Sequence, residues 1–155
     1  MDQDGTAASE QPGPGPIRAS AEFHGSERIA DARRMARSFL DEAQSLHGLQ
    51  ISARAADAVM LVVSELVTNA RTYAPGAYRL ALEVRDGCVE VSVWDGDPAP
   101  PALRLPDPLR IGQHGLEIVN AASRSFHVRR AAGGKRVTAS ISLSDRDQRG
   151  PSHTD

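Results

Sequence analysis

The chain of 155 residues is poor in cysteine, lysine and aromatic residues, and it contains no long apolar run. Its single cysteine, Cys88, excludes an internal disulfide and a thiolate metal cluster. No apolar stretch reaches the ~18 residues that span a bilayer, and the first residues lack a signal-peptide pattern. Lys135 is the only lysine, and the formal net charge of −2 gives no electrostatic reason to bind nucleic acid. We therefore expect a cytoplasmic protein with no membrane and no direct nucleic-acid contact.

Composition divides the chain into one domain with two polar ends. Residues 1–16 are rich in glycine, proline and polar side chains, so we interpret them as a disordered leader. Residues 145–155 have the same character and are predicted to be a disordered tail. The folded domain is then expected to span residues 17–144.

The apolar spacing of the first half predicts one strand and two helices. A weakly alternating strand over residues 17–23 is followed by a helix for which Ser26 offers an N-cap. A second helix, which Ser52 can cap, is predicted to continue to about Ala74, before a Pro-Gly pair ends it.

The second half is dominated by strands. Alternating residues from Tyr78 onward, interrupted by Asp86 and Gly87, predict a hairpin. A short helix over residues 114–123 and a second hairpin around residues 131–134 complete the order β-α-α-β-β-loop-α-β-β. This order predicts an α+β two-layer sandwich, with a mostly antiparallel sheet and the helices on one face.

The proline-rich stretch over residues 96–113 breaks this periodicity. A segment of that length without regular structure, inside a compact domain, is typically a lid, a binding loop or a disordered insertion.

The second predicted helix carries an acid and an amide one turn apart. Glu65 and Asn69 stand at i and i+4, so both side chains project from the same, otherwise apolar, face. Such a pair suits a hard cation with its phosphates, or an activated hydroxyl or water. On spacing alone, an ordinary polar contact beside the core is the more common explanation, because i,i+4 polar pairs are frequent on helices.

Two further segments fall in an order that favours the first interpretation. Asp95 ends a predicted strand, where its carboxylate can accept a hydrogen bond from the amino group of a base. Residues 112–116 (GQHGL) run from the proline-rich loop into a helix, where backbone N–H groups and the helix dipole favour an anion. Together these segments predict a nucleotide site beneath a lid.

In the order of these segments, the chain resembles the small anti-sigma-factor serine/threonine kinases, in the RsbW/SpoIIAB-like branch of the GHKL (Bergerat-fold) ATPases. The resemblance covers roughly residues 17–143. Its motifs are ELVTNA at 65–70 as the N box, VSVWD at 91–95 and GQHGLEIV at 112–119 as the two G boxes, and GGK at 133–135 as the closing hairpin.

The resemblance implies a role for each candidate residue. Asn69 would coordinate the Mg²⁺ that bridges the phosphates of ATP, and Asp95 would bind the adenine amino group. Glu65 would act as the general base that takes a proton from the serine of a partner protein. Further nucleotide contacts would come from Gly96, Gly112, His114, Gly115 and Leu116, with the 96–113 segment as the ATP lid.

The implied function is regulatory. Such a kinase sequesters a sigma factor and phosphorylates a serine on a STAS-type anti-sigma-factor antagonist, and members of the branch commonly form homodimers. This chain departs from the pattern at Asp97 and Ala99, which replace glycines of the first G box. We also place Arg136 where a threonine often helps to hold adenine. The alternative is therefore a partner-binding module of the same fold with weak or no use of ATP.

Overall fold

The computed structural model describes residues 17–73, 76–96, 115–131 and 133–144. The predicted leader, tail and nearly all of the predicted lid lie outside these residues. In chain order the elements are β1 (Ile17–Phe23), α1 (Ile29–Ser45), α2 (Ala53–Tyr73), β2 (Tyr78–Arg85), β3 (Cys88–Asp95), α3 (Gly115–Ala122), β4 (Ser125–Ala131) and β5 (Gly134–Ser142). Among these elements, no helix is long and apolar enough to cross a membrane.

The described strands form one antiparallel sheet in the order β1-β2-β3-β5-β4. Apolar side chains alternate along the inner strands, so one face of the sheet is apolar and the helices cover it. The predicted α+β two-layer sandwich, with a mostly antiparallel sheet and helices on one face, is confirmed.

Two local signals in the sequence explain where elements begin and turn. The Oγ atom of Ser52 accepts a hydrogen bond from the backbone N–H of Ala55 at 3.0 Å, as the predicted cap of α2 requires. Asp86 and Gly87 both have positive φ angles, of 53° and 77°, which suits the tight turn that joins β2 to β3.

The predicted cap of α1 is wrong. The helix begins at Ile29, with Arg28 as its N-cap residue, rather than directly after Ser26. The carboxylate of Asp31, inside the first turn, accepts a hydrogen bond from the backbone N–H of Arg28 at 3.1 Å. The first turn therefore supplies its own acceptor and does not need the serine hydroxyl.

Helix α2 is the central helix of the layer that covers the sheet. It contacts α1 and α3 on its sides, and it contacts β3 and β5 of the sheet. Its buried side chains include Val59, Val63, Leu66 and Ala70, each at most 1 % exposed. Any polar side chain on this face therefore lies against the core and next to the inner strands.

Candidate functional site

Glu65 and Asn69 lie one turn apart in the second half of α2, as predicted. Asn69 is buried, at 3 % exposure, whereas Glu65 is half-buried. Within the described residues, the Glu65 carboxylate forms no hydrogen bond or ion pair.

The amide of Asn69 has an unused acceptor. Its Oδ1 atom is enclosed and, within the described part of the chain, accepts no hydrogen bond. A buried carbonyl oxygen without a donor costs about 1–3 kcal/mol of folding free energy. Because an amide oxygen is a suitable ligand for Mg²⁺, this atom fits a hard cation.

A metal at this position would need ligands that the described side chains do not supply. Among those residues, no group of three or more histidine, cysteine, aspartate or glutamate side chains could hold a metal ion. Mg²⁺ commonly binds through one or two protein oxygens and completes its coordination with water and phosphate oxygens. Asn69 therefore suits a metal that arrives with a phosphorylated ligand.

Asp95, the predicted adenine contact, forms a buried ion pair with Lys135. The two residues are directly opposite each other on β3 and β5. The Nζ atom of Lys135 lies 3.1 Å from Oδ1 of Asp95 and 3.1 Å from Oδ2, and both side chains are 1 % exposed. Lys135 is part of the GGK motif, to which no predicted site role was attached.

A close backbone approach fixes the register at this pair. A Cβ atom added to Gly134 would lie 1.8 Å from the carbonyl oxygen of Asp95 and 2.8 Å from Cα of Gly96. Only glycine fits there, so the start of β5 presses against the end of β3. Lys135, the next residue, is thereby held opposite Asp95.

Arg136 lies on the other face of the sheet, where it cannot hold a base at Asp95. Its guanidinium carbon is 4.7 Å from the ring centroid of Trp94, and that of Arg79 is 4.4 Å from the same centroid. Arg136 also donates a hydrogen bond to Ser92 Oγ at 3.2 Å. The assignment of Arg136 to the adenine side is therefore wrong, because successive residues of a strand point to opposite faces. Lys135 occupies that side.

The two glycine-containing segments are described only in part. Gly115 is the first residue of α3, so the predicted loop-to-helix junction is confirmed. Gly96 is exposed, directly after β3. Gly112 and His114 lie outside the described residues, as does the side chain of Leu116, so their predicted nucleotide contacts stay predictions.

The carboxyl end of α2 is tied to the segment that joins β1 to α1. Arg71 donates a hydrogen bond to the backbone carbonyl of Glu27. The Glu27 carboxylate in turn accepts hydrogen bonds from the backbone N–H groups of His24 and Gly25, at 2.8 and 3.1 Å. Burial raises the pKa of the Tyr78 hydroxyl, while the nearby Arg71 guanidinium acts in the opposite direction. These contacts fix the end of the helix that carries Glu65 and Asn69.

Comparisons with known proteins agree with this fold. Residues 26–141 match the model of the histidine kinase-like ATPase domain family. The structure of the RsbU and RsbW domains of Rv1364c from Mycobacterium tuberculosis is similar, with a TM-score of 0.60 and 21 % sequence identity. That match covers 85 % of this chain and 32 % of the other.

A second similar structure is the histidine kinase domain of the blue-light-activated histidine kinase EL346 from Erythrobacter litoralis. Its TM-score is 0.49 at 20 % identity, and the match covers 76 % of this chain and 63 % of that one. The chain thus spans about one third of the length of the Rv1364c structure and less than two thirds of the EL346 structure. A search of curated proteins gives no match. Because the family model covers most of the chain, including α2, β2, β3, β4 and nearly all of β5, the protein belongs to the histidine kinase-like ATPase domain family.

Proposed function

We propose that the protein is an ATP-binding regulator that sequesters a sigma factor and phosphorylates a serine on a STAS-type antagonist of anti-sigma factors. Family membership supports the nucleotide-binding part of this proposal. The similar fold in a structure that contains an RsbW domain supports a regulatory role with protein partners. The four motifs of the sequence resemblance extend the same reasoning to the anti-sigma branch.

The observation that carries the proposal is the Asn69 Oδ1 atom, which is buried and lacks a donor within the described residues. Asn69 lies one turn after Glu65, whose half-buried carboxylate forms no hydrogen bond or ion pair within the described residues. Bound Mg²⁺ would neutralise phosphate charge and hold the phosphates for in-line transfer. Asn69 would bind that metal through Oδ1 and thereby fix the position of the phosphates relative to Glu65.

Glu65 would act on the substrate protein. Its carboxylate could accept the proton of a serine hydroxyl while the serine oxygen bonds to the terminal phosphorus of ATP. The bond between that phosphorus and the bridging oxygen breaks, and ADP is the leaving group. A positioned general base increases the reaction rate by a factor of about 10²–10⁴. Positioning of the nucleotide and neutralisation of its charge supply most of the rest.

The direct test is transfer of labelled phosphate from Mg-ATP to STAS-type proteins encoded in the same genome. Glu65→Gln should retain Mg-ATP binding and reduce transfer by at least about 100-fold. Asp57→Asn is the matched control, because Asp57 is an exposed acid on the same helix, and it should transfer at the wild-type rate. Transfer by Glu65→Gln at the wild-type rate would exclude Glu65 as the base.

The Asp95–Lys135 ion pair favours a second candidate, a partner-binding module of the same fold with weak or no use of ATP. Because Lys135 already donates to Asp95, the carboxylate expected to hold adenine has a partner within the chain. A sigma factor bound with equal affinity in the presence and absence of Mg-ATP, together with no phosphate transfer, would support this candidate over the kinase.

A further inference from the structure

The ion pair between Asp95 and Lys135 stands where the proposed nucleotide site would recognise its base. Asp95 continues the alternation of β3, so its side chain is on the sheet face that packs against the helices. Helix α2, which carries Asn69, contacts both β3 and β5. The pair and the proposed metal ligand therefore belong to elements that meet at the interface between the sheet and helix α2.

The Lys135 ammonium provides the type of donor that a base amino group would provide. Its Nζ atom is within hydrogen-bond distance of both oxygens of Asp95, at 3.1 Å each. Both donors would form a charge-assisted hydrogen bond with the carboxylate, but only the ammonium also neutralises its buried charge. A neutral amino group that displaced Lys135 would also leave a buried ammonium without its carboxylate. Exchange of lysine for adenine at Asp95 is therefore unfavourable.

The backbone prevents Lys135 from moving aside with its strand. Gly134 is packed directly against the carbonyl of Asp95, where there is no room even for a Cβ atom. Cross-strand pairing continues from Asp95 and Lys135 along the whole of β3 and β5. Withdrawal of Lys135 would thus require a rotation of its side chain within the core or a separation of two central strands.

We propose that Lys135 takes the place of a base amino group at Asp95, so that this carboxylate does not select adenine. The inference rests on the proposed function, because it concerns how that nucleotide site chooses its ligand. The nucleotide is then held through its phosphates and the metal at Asn69, and ATP and GTP bind with similar affinity. Lys135 is the residue that determines this lack of specificity.

The test compares the binding of Mg-ATP, Mg-GTP and Mg-tripolyphosphate, measured by titration calorimetry, in the wild type and in Lys135→Thr. The wild-type dissociation constants for the two nucleotides should agree within about threefold, and Lys135→Thr should prefer ATP by about tenfold or more. Arg136→Thr is the matched control, because Arg136 is the neighbouring residue on the opposite face. It should leave the ratio unchanged.

The outcomes separate this inference from the proposed function. A wild-type preference for ATP of tenfold or more, or no preference for ATP in folded Lys135→Thr, overturns the inference even if nucleotides bind. Loss of Mg-tripolyphosphate and nucleotide binding in the wild type contradicts the proposed function. If Lys135→Thr then binds ATP, Lys135 prevents nucleotide binding altogether, which overturns the inferred similar affinity of the wild type for ATP and GTP. If neither protein binds any probe, both ideas fall.

A second measurement needs no variant at this position. Because Lys135 is the only lysine, an amine-reactive label followed by peptide mapping reports on its side chain alone. Arg85→Lys supplies an exposed reference lysine, since Arg85 is 57 % exposed. Lys135 should be labelled much more slowly than the lysine introduced by Arg85→Lys. Saturating Mg-ATP should not change the rate at which Lys135 is labelled. Acceleration by Mg-ATP would show that the base displaces Lys135, which overturns the inference.

Discussion

Lys135 and Asp95 face each other across two central strands, with the ammonium nitrogen 3.1 Å from each carboxylate oxygen and both side chains 1 % exposed. A buried pair of this kind gains little over a well-packed apolar pair, because both charges lose their hydration. Removal of one partner is costly because the other charge then stays buried. The pair therefore constrains both the stability of the sheet and the chemistry available to Asp95.

Lys135→Met should lower the free energy of unfolding by about 3–5 kcal/mol, because it leaves the Asp95 carboxylate buried without its cation. The double variant Asp95→Leu/Lys135→Met should recover most of that loss, since both charges are gone. Chemical denaturation of the three proteins measures these differences. Equal destabilisation of the single and double variants would show that the loss of free energy of unfolding comes from changed packing volume and not from an unpaired charge.

An exposed ion pair provides the control. On α1, a guanidinium nitrogen of Arg34 lies 2.8 Å from Oδ1 of Asp31, but the two side chains are 69 % and 38 % exposed. Because water solvates both charges, Arg34→Met should leave stability almost unchanged. The contrast with Lys135→Met isolates the effect of burial from that of distance.

Gly134→Ala should destabilise the protein by about 3 kcal/mol or more. The added Cβ atom would lie 1.8 Å from the carbonyl oxygen of Asp95, so two backbones must separate. Gly96→Ala is the matched control, because a Cβ atom there meets nothing within 4 Å. Thermal unfolding of the two variants measures the difference, and a Gly134→Ala protein as stable as Gly96→Ala would contradict the close approach.

Glu27 should make stability depend on pH in the acid range. Hydrogen bonds from its own backbone N–H, and from those of His24 and Gly25, hold the pKa of the Glu27 carboxyl below its ordinary value. The folded protein therefore binds this proton less readily than the unfolded chain does. Its contribution to stability is present above the ordinary pKa of 4.5 and is lost as the pH falls through the lower folded value.

The corresponding measurement compares Glu27→Gln with the wild type from neutral pH to the acid limit of folding. The difference in the free energy of unfolding should shrink as the pH falls. Glu22→Gln, which removes an exposed acid on β1, should show no such trend. A difference for Glu27→Gln that stays constant with pH would contradict the assigned hydrogen bonds.

Local chemistry was enough to predict most of the fold. The Ser52 cap and the Asp86–Gly87 turn depend on residues within a few positions of each other, and the alternation of strands is visible in the sequence. The cap of α1 was missed because an acid inside the helix can satisfy the same backbone donors as Ser26.

The position of Lys135 opposite Asp95 could not be predicted from local sequence. Whether Lys135 or Arg136 faces Asp95 depends on the register between β3 and β5, and a shift of one residue exchanges the two faces. The hairpin sequence did not define that register. Gly134 was a signal that could have done so, because a strand that starts with glycine indicates a close backbone approach.

Asn69 connects stability with the proposed function. Asn69→Ala removes a buried oxygen that has no donor within the described residues, so its free energy of unfolding without metal should stay within about 1 kcal/mol of the wild type. Truncation of an apolar core side chain usually costs about 2–5 kcal/mol. A loss of that size in Asn69→Ala would indicate a structural role instead of metal binding.

The most direct test of the metal site is titration calorimetry of Mg-ATP into the wild type, Asn69→Ala and Asn120→Ala. Asn120 is the only other asparagine and is exposed on α3, which makes it a matched control. Metal-dependent binding should be present in the wild type and in Asn120→Ala, and absent in Asn69→Ala. Equal affinity of Asn69→Ala and the wild type for Mg-ATP would contradict the proposal that Asn69 holds the metal.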